Sequence, residues 1–492
     1  MEEIQLVSAE EVQKHNQALD CWLVINEEIW DLTTFVSEHP GGASIILKYA
    51  GADATVPFRE VHSQSIIREN LSLDRFRGNL DPSTLPGNWA NTKTTAASSQ
   101  TGKPGDMIRP PLHTMINAYD FDSAAALSAP KKAYAFYSTA ATDCWTKEAN
   151  ESMLKRIWFR PRVMRDVSAV STSSTILGIP VAFPVFICPT GLAKLIHPDA
   201  EKGLARAAQS SGILEIISSS ASYSLEEIVQ EAPNYPFLFQ LYLNKDREKS
   251  RKMLLKAQDL GMRAIFVTVD AAGRGKRESD ERLKVDEVIV NPVTGERAAS
   301  DKTGAGLTRL MGRYIDQGMT WKDLEWIRSI TSLPIILKGI GSAADAKIAL
   351  QHKVDGILLS NHGGRNLDFS PPSILLLLEM HKVCPEVFQK MDVYVDGGFR
   401  RGGDILKALC LGAKAVGIGR SFLYALNYGT EGVEHLVEIL KDEMESAMKL
   451  VGITNLSEAH PDLVNTSDVD HLVPNGAGHP YITWRSRECA RL

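Results

Sequence analysis

Residues Pro334 to Ser360 read PIILKGIGSAADAKIALQHKVDGILLS. Pro334–Lys338 is a short apolar run, Ala343–Gln351 has a helical pattern, and Gly356–Ser360 is a second β-type run. Strand, helix and strand at this spacing make two parallel neighbours joined by a crossover. The alternation extends in both directions. The β-type runs are Val185–Pro189, Ile213–Ser218, Phe237–Leu243, Ala264–Val269, Pro334–Lys338, Gly356–Ser360, Val393–Val395 and Ala415–Ile418, with helical segments such as Ala200–Ser211 between them. Eight such repeats, buried on both faces, predict an α/β fold with a closed parallel (β/α)₈ barrel rather than an open sheet. The fourth crossover holds Asn291 to Thr320, and a loop that long in a compact barrel is usually functional or disordered.

The barrel does not account for the whole chain. At 492 residues, at least two domains are expected. Residues 1–80 form an aromatic-punctuated block of α+β character, residues 81–111 read as a flexible linker rich in Pro, Gly, Ser and Ala, residues 112–456 hold the barrel, and residues 457–492 form a C-terminal tail. The composition, 44% apolar and 23% charged, is that of a globular protein. A net charge of −6 argues against a nucleic-acid partner. No apolar run approaches the ~20 residues of a membrane span. The start Met1-Glu2-Glu3 reads as neither a secretory signal nor a basic transit peptide. Six scattered cysteines without a CxxC pair fit a reducing compartment, with Cys188 and Cys410 as core residues.

Two histidines mark the N-terminal block. His39 stands in Ser37-Glu38-His39-Pro40-Gly41-Gly42, and His62 in Phe58-Arg59-Glu60-Val61-His62-Ser63. Pro40 restricts the backbone of His39, and the glycines allow close approach of a flat group. The apolar segments Ile45–Tyr49 and Ile66–Leu71 could wall a planar pocket. Two axial imidazoles would give a six-coordinate haem that transfers electrons and has no open site. The block resembles cytochrome b5 over about residues 4–80, on the HPGG motif, the Trp22–Ile25 and Ile29–Leu32 strands and the spacing of His62. That resemblance implies non-covalent haem b, with His39 and His62 as its iron ligands.

In the barrel the chemistry-bearing residues cluster after the strands, where barrel enzymes place their sites. The densest string is Ser360-Asn361-His362-Gly363-Gly364-Arg365, a base and a guanidinium three residues apart. Asp270 follows the fourth run and Lys338 the fifth. Asp396-Gly397-Gly398-Phe399-Arg400 follows the seventh, and Gly417-Ile418-Gly419-Arg420 the eighth. Glycines and arginines after the last two strands are the usual barrel phosphate site. Any one of these could be a structural ion pair; their order along successive strands speaks for a site.

Residues from about 110 to 456 resemble the FMN-dependent 2-hydroxy acid oxidoreductases, which include glycolate oxidase, mandelate dehydrogenase and lactate-oxidising flavocytochromes. The SNHGGR string carries the likeness, and the cytochrome b5-like block in front narrows it to the flavocytochromes. The resemblance implies oxidation of an L-2-hydroxy acid, lactate or a larger analogue, to the 2-oxo acid. Electrons would pass from FMN to haem b and on to a cytochrome c-like acceptor, in a homotetramer. It implies His362 as base, Asp270 as its partner, and Arg277 and Arg365 on the substrate carboxylate. Tyr242 would hydrogen-bond the substrate, and Lys338 would lie against the flavin. Pro189, Thr190, Ser218, Gln240 and Thr268 match flavin contacts, and Asp396, Gly398, Arg400, Gly419 and Arg420 match ribityl and phosphate contacts.

Four positions depart from the family pattern. Phe136 stands where a substrate-binding Tyr is usual, and Gly191 and Ser220 are small where lactate enzymes carry Ala and Leu. These predict a pocket roomier than lactate requires. Asn366 replaces a Gln with little expected effect. Two competing readings are an oxidase that returns electrons to oxygen as peroxide and a haem-binding carrier with an inactive barrel. The end Ala490-Arg491-Leu492 is a small–basic–leucine tripeptide that predicts a peroxisomal address, with the cytoplasm as the alternative. A mitochondrial intermembrane-space address would require a presequence ahead of Met1.

Overall fold

The computed structural model describes residues 5–36, 43–55, 58, 67, 71–85, 109–273, 275–283, 307 and 312–476. His39, His62, most of the fourth crossover and the Ala490-Arg491-Leu492 end lie outside the described residues. The chain divides into two compact units, Met1–Asp106 and Met107–Leu492.

The first unit is built on one sheet. Its strands run in the order Leu6–Val7, Phe76–Leu80, Glu28–Asp31, Asp20–Ile25 and Asn16–Gln17, with Ala52–Asp53 also paired to Asp20–Ile25. Asn26 and Glu27 join the central hairpin, both at positive φ (54° and 68°), as a two-residue turn of matching twist requires. Side chains alternate across a strand. Cys21, Leu23 and Ile25 therefore enter one apolar cluster, with Trp30, Ile46 and Ile67, while Val24 enters another with Val12 and Ile29. Residues 81–84, expected in the linker, instead dock on this unit: Asp81 N–H donates to Val7 O and Ala9 N–H to Thr84 Oγ1.

In the second unit eight parallel strands close a barrel: β1 Val185–Ile187, β2 Leu214–Ser218, β3 Leu238–Leu241, β4 Ile265–Thr268, β5 Ile335–Ile340, β6 Gly356–Leu359, β7 Asp392–Asp396 and β8 Val416–Ile418. β8 pairs back to β1 through Val416 with Val185 and Ile418 with Ile187. The interior is packed with side chains. Phe186, Phe266 and Tyr394 meet with ring centroids 5.9–6.2 Å apart, among Leu214, Ile216, Leu238, Ile336 and Leu358. The hairpin Ser174–Ile176 and Ile179–Val181 joins this inner core. A second, larger apolar cluster lies between barrel and helices.

Two features depart from the expected outline. Helices Ala118–Ser128, Lys131–Ser138 and Trp145–Lys155 precede the barrel, and the second of them carries Phe136. Residues 457–476, expected as a tail, belong to the barrel unit. Val464–Asn465 pairs with Trp158–Phe159, and Leu463, Val469 and Val473 are buried in the main core. No helix among the described residues is long and apolar enough to cross a membrane.

Candidate active site

The ends of β1 to β8 open into one cavity. Its lining includes Phe136, Pro189, Thr190, Gly191, Ser218, Ser220, Tyr242, Arg277, Lys338, His362, Arg365, Asp396, Gly398, Arg400, Gly419 and Arg420. Asp270, Gln240 and Thr268 stand behind this wall. Gln240 Nε2 donates to Thr268 Oγ1 at 2.9 Å, and Ser218 Oγ donates to Gln240 Oε1 at 3.3 Å.

His362 occupies the turn after β6 at φ +59°, followed by Gly363 and Gly364 at +63° and +76°. Gly364 lies so close to Lys147 that a Cβ would meet its backbone nitrogen at 2.7 Å. Asn361 and Asn150 exchange two amide hydrogen bonds of 2.9 and 2.8 Å, and Asn361 Oδ1 also accepts from Gly364 N–H. The turn is thereby fixed to helix Trp145–Lys155. Asp368 helps from the far side, accepting from Thr146 N–H at 2.8 Å and Asp143 N–H at 3.0 Å.

His362 Nδ1 lies 3.1 and 3.2 Å from the two carboxylate oxygens of Asp270. An ionised carboxylate only accepts, so Nδ1 carries the proton and Nε2 keeps its lone pair. Nε2 faces the Tyr242 hydroxyl at 3.3 Å. Burial pushes His362 below its ordinary 6.5, and the Asp270 charge offsets this only in part. Burial works against ionisation of Asp270, but His362 and Lys338 outweigh it and hold the carboxyl below its usual range. The pair is a neutral imidazole backed by a carboxylate, the state a general base needs. Gly339 makes room for it, since a Cβ there would meet Asp270 Cγ at 2.5 Å. Asn366 also has a part, donating to Asp270 O at 2.7 Å.

Three guanidiniums, that of Arg277 buried and those of Arg365 and Arg420 half-buried, face the same space. Arg365 donates to the carbonyls of Phe136 and Tyr137, both at 2.9 Å. Arg420 donates to Tyr137 O at 3.1 Å and Gly363 O at 2.6 Å. Arg277 reaches Arg365 O at 3.4 Å. Burial pushes Arg277 down to about 10, and burial with the neighbouring Arg277 and Arg420 charges pushes Arg365 well below its usual range. None of the three has a carboxylate within ion-pair distance among the described residues. Buried charge of one sign is costly until an anion meets it, so the site is built for anions. Phe136 offers its ring to Arg365 at 5.1 Å and Arg277 at 5.8 Å; the position lacks a hydroxyl but gives both cations an aromatic face.

Lys338 Nζ lies 3.1 Å from Asp396 Oδ2 and 3.2 Å from Ser360 Oγ. Burial opposes its charge, but Asp396 and Asp270 hold it protonated. Arg400, expected at the phosphate, lines the same cavity. Its guanidinium already pairs with Asp122 at 3.0 Å and Glu151 at 2.8 Å. The unmatched cations at this wall are Arg420 and Lys147, the latter half-buried and without a carboxylate at ion-pair distance among the described residues. Gly398 is needed for packing, because a Cβ would meet the Asn150 backbone at 2.6 Å, whereas Gly419 has only Cys188 Cβ near it, at 3.7 Å.

Sequence reasoning missed Tyr314, whose hydroxyl lies 3.0 Å from Ser220 Oγ. It also missed Asn150 and Lys147 on the helix before the barrel. Asn361 was visible inside the signature string and Asp368 lies three residues beyond it; Tyr314 sits in a crossover with no periodic pattern to mark it.

The residues fit FMN. Thr190 Oγ1 and Asp396 Oδ1 are buried without a hydrogen-bond partner among the described residues, Lys338 supplies a fixed cation, and Arg420 and Lys147 await an anion. In the first unit, the residues flanking His39 and His62 in sequence, Phe35, Val36, Ala43 and Ile46 with Phe58, Ile67 and Leu71, share one apolar cluster. These described neighbours of the two histidines thus form an apolar core of the kind a haem requires.

Comparison with known proteins agrees. Residues 8–83 match the cytochrome b5-like heme/steroid binding domain, and residues 125–466 match the FMN-dependent dehydrogenase family. The chain is 39% identical over 477 residues to an L-lactate dehydrogenase (cytochrome) of Saccharomyces cerevisiae, covering 94% of this chain and 80% of that protein. It is 41% identical to 2-hydroxyacid oxidase 2 of Bos taurus, covering 71% of this chain and 98% of that protein. A solved structure of a flavocytochrome b2 variant with benzoylformate aligns with a TM-score of 0.66 at 38% identity, over 76% of this chain and 92% of that one. The chain belongs to the FMN-dependent dehydrogenase family, with an FMN barrel preceded by a cytochrome b5-like haem domain.

Proposed function

We propose that the protein oxidises an L-2-hydroxy acid, lactate or a larger analogue, to the 2-oxo acid and passes the electrons through haem b to a cytochrome c-like acceptor. The observation that carries this reading is a neutral His362, backed by Asp270, in one cavity with the unmatched Arg277 and Arg365. FMN, when bound, supplies the two-electron acceptor. Arg277 and Arg365 take the substrate carboxylate, where a planar guanidinium gives paired hydrogen bonds. Tyr242 hydrogen-bonds the substrate beside Nε2, and burial keeps its hydroxyl protonated. His362 Nε2 accepts a substrate proton, and Asp270 stabilises the imidazolium through Nδ1. Lys338 holds positive charge where negative charge collects on reduction. Thr190, Ser218, Asp396, Arg400 and Arg420 would hold the cofactor, with Pro189, Gln240, Thr268, Gly398 and Gly419 shaping its bed.

The flavocytochrome relative spans both domains, whereas the glycolate and 2-hydroxyacid oxidases cover only 70–73% of the chain. This favours the dehydrogenase over the oxygen-using oxidase. His39 and His62 are proposed as the iron ligands, and a homotetramer as the assembly, both on family likeness; sedimentation tests the latter. Gly191, Ser220 and Phe136 support preference for a substrate larger than lactate. Peroxisomal or cytoplasmic location rests on Ala490-Arg491-Leu492 alone and is tested by imaging tagged protein with and without Leu492. The test of the reaction is a screen of L-2-hydroxy acids by flavin bleaching without oxygen. Failure of every acid, lactate and mandelate included, would defeat the proposal.

A further inference from the structure

The far wall of the cavity is less apolar than the small residues Gly191 and Ser220 suggest. Ser220 lines the cavity and is buried, and its Oγ meets Tyr314 OH at 3.0 Å. Tyr314 OH also lies 3.5 Å from Ser219 Oγ. Tyr314 is 6% exposed, and its ring stands edge-on to Tyr242, with centroids 6.5 Å apart. Tyr242 in turn faces His362 Nε2. The reacting end and the far wall are therefore linked through His362, Tyr242, Tyr314 and Ser220.

Tyr314 is firmly held. Lys245 N–H donates to Tyr314 O at 3.0 Å, Asp316 N–H donates to Leu243 O at 2.8 Å, and Asn244 bridges Ile315 in antiparallel fashion. Arg247 clamps the same stretch through Asp316 at 2.6 Å and Asp323 at 2.8 Å. The tyrosine hydroxyl is thus tied to the loop after β3.

A hydroxyl has one donor and two acceptor sites. One bond between Ser220 and Tyr314 leaves capacity on both oxygens. An apolar side chain pressed against Ser220 would cover that capacity without using it, at a cost. A side chain ending in a hydroxyl would use it.

We propose that Ser220, positioned by Tyr314, gives the substrate pocket a hydrogen-bonding end, and that the preferred substrate is an L-2-hydroxy acid whose side chain carries its own hydroxyl group. This rests on the proposed 2-hydroxy acid oxidation and names its substrate class. Ser220 meets the substrate; Tyr314 is a positioning residue that acts through it.

The test uses the holoenzyme and matched pairs: L-mandelate against L-4-hydroxymandelate, and L-2-hydroxybutyrate against L-2,4-dihydroxybutyrate. For at least one pair the hydroxylated member should show kcat/KM about tenfold higher, the order expected for one well-made hydrogen bond. Ser220→Ala should bring that ratio near one, and Tyr314→Phe should lower it several-fold, both through KM rather than kcat. Binding of benzoylformate and 4-hydroxybenzoylformate, read from the flavin absorbance, gives the same comparison without turnover. Ratios at or below one for both pairs would overturn the inference, as would a ratio that both variants leave unchanged. If no 2-hydroxy acid bleaches the flavin, the proposed reaction fails, and the oxo-acid binding ratio still decides the question of the wall.

Discussion

His362 sits at φ +59°, a conformation that costs a residue with a β-carbon about 1–2 kcal/mol. The surroundings hold it there: Ser360 Oγ accepts its N–H at 3.0 Å, Asp270 takes Nδ1, and the paired Asn150 and Asn361 fix the turn. That strain aims Nε2 into the cavity. His362→Ala should lower the rate of flavin reduction by roughly 10²–10⁴-fold while FMN absorbance in the purified protein is retained. Wild-type rates would remove His362 from the mechanism. Because the base acts when neutral, and burial lowers its pKa below 6.5, the neutral form persists on acidification past the usual histidine range. Free-enzyme kcat/KM should therefore stay level through 6.5 and fall only at lower pH. A pH profile whose acid limb begins above that value would show that the imidazole is not held neutral as described.

At the scale of the element, β5 and the β6 turn show how little tolerance the site has. Gly339 has φ +108°, and a Cβ there would press on Asp270 Cγ at 2.5 Å. Gly339→Ala should displace Asp270, cost about 1–3 kcal/mol by overpacking, and lower kcat more than it lowers FMN affinity. Flavin titration beside stopped-flow reduction separates the two; unchanged kcat would mean that Asp270 has room to move. All eight strands were legible because residues buried on both faces of a parallel sheet leave unbroken apolar runs. Their ends moved by a residue or two, as with Pro334–Lys338 against Ile335–Ile340. His362, Asp270, Arg365 and Lys338 stood out because strand ends carry the site, whereas Arg277 came only from the family resemblance. What stayed hidden came from outside the alternation. Asn150 and Lys147 belong to a helix before the barrel, Tyr314 to a patternless crossover, and the Asp122 and Glu151 carboxylates that occupy Arg400 have no spacing relation to it.

Over the whole molecule, the composition shift near residue 81 separated two blocks, yet residues 81–84 pack on the first unit and residues 457–476 on the second. Short polar stretches that dock by backbone hydrogen bonds have no hydrophobic period to reveal them. The division of labour between the units leads to a prediction that spans both. His62→Ala should remove the bis-imidazole haem spectrum and abolish reduction of a cytochrome c-like acceptor, while substrate still bleaches the flavin at a similar rate. A normal haem spectrum in that variant would end the ligand assignment. The most direct test of the account is stopped-flow mixing of the anaerobic holoenzyme with an accepted L-2-hydroxy acid, followed at the flavin and haem bands together. The account predicts that the flavin bleaches first and that the haem is then reduced at the flavin's expense. A haem that stays oxidised while the flavin is fully reduced would contradict it.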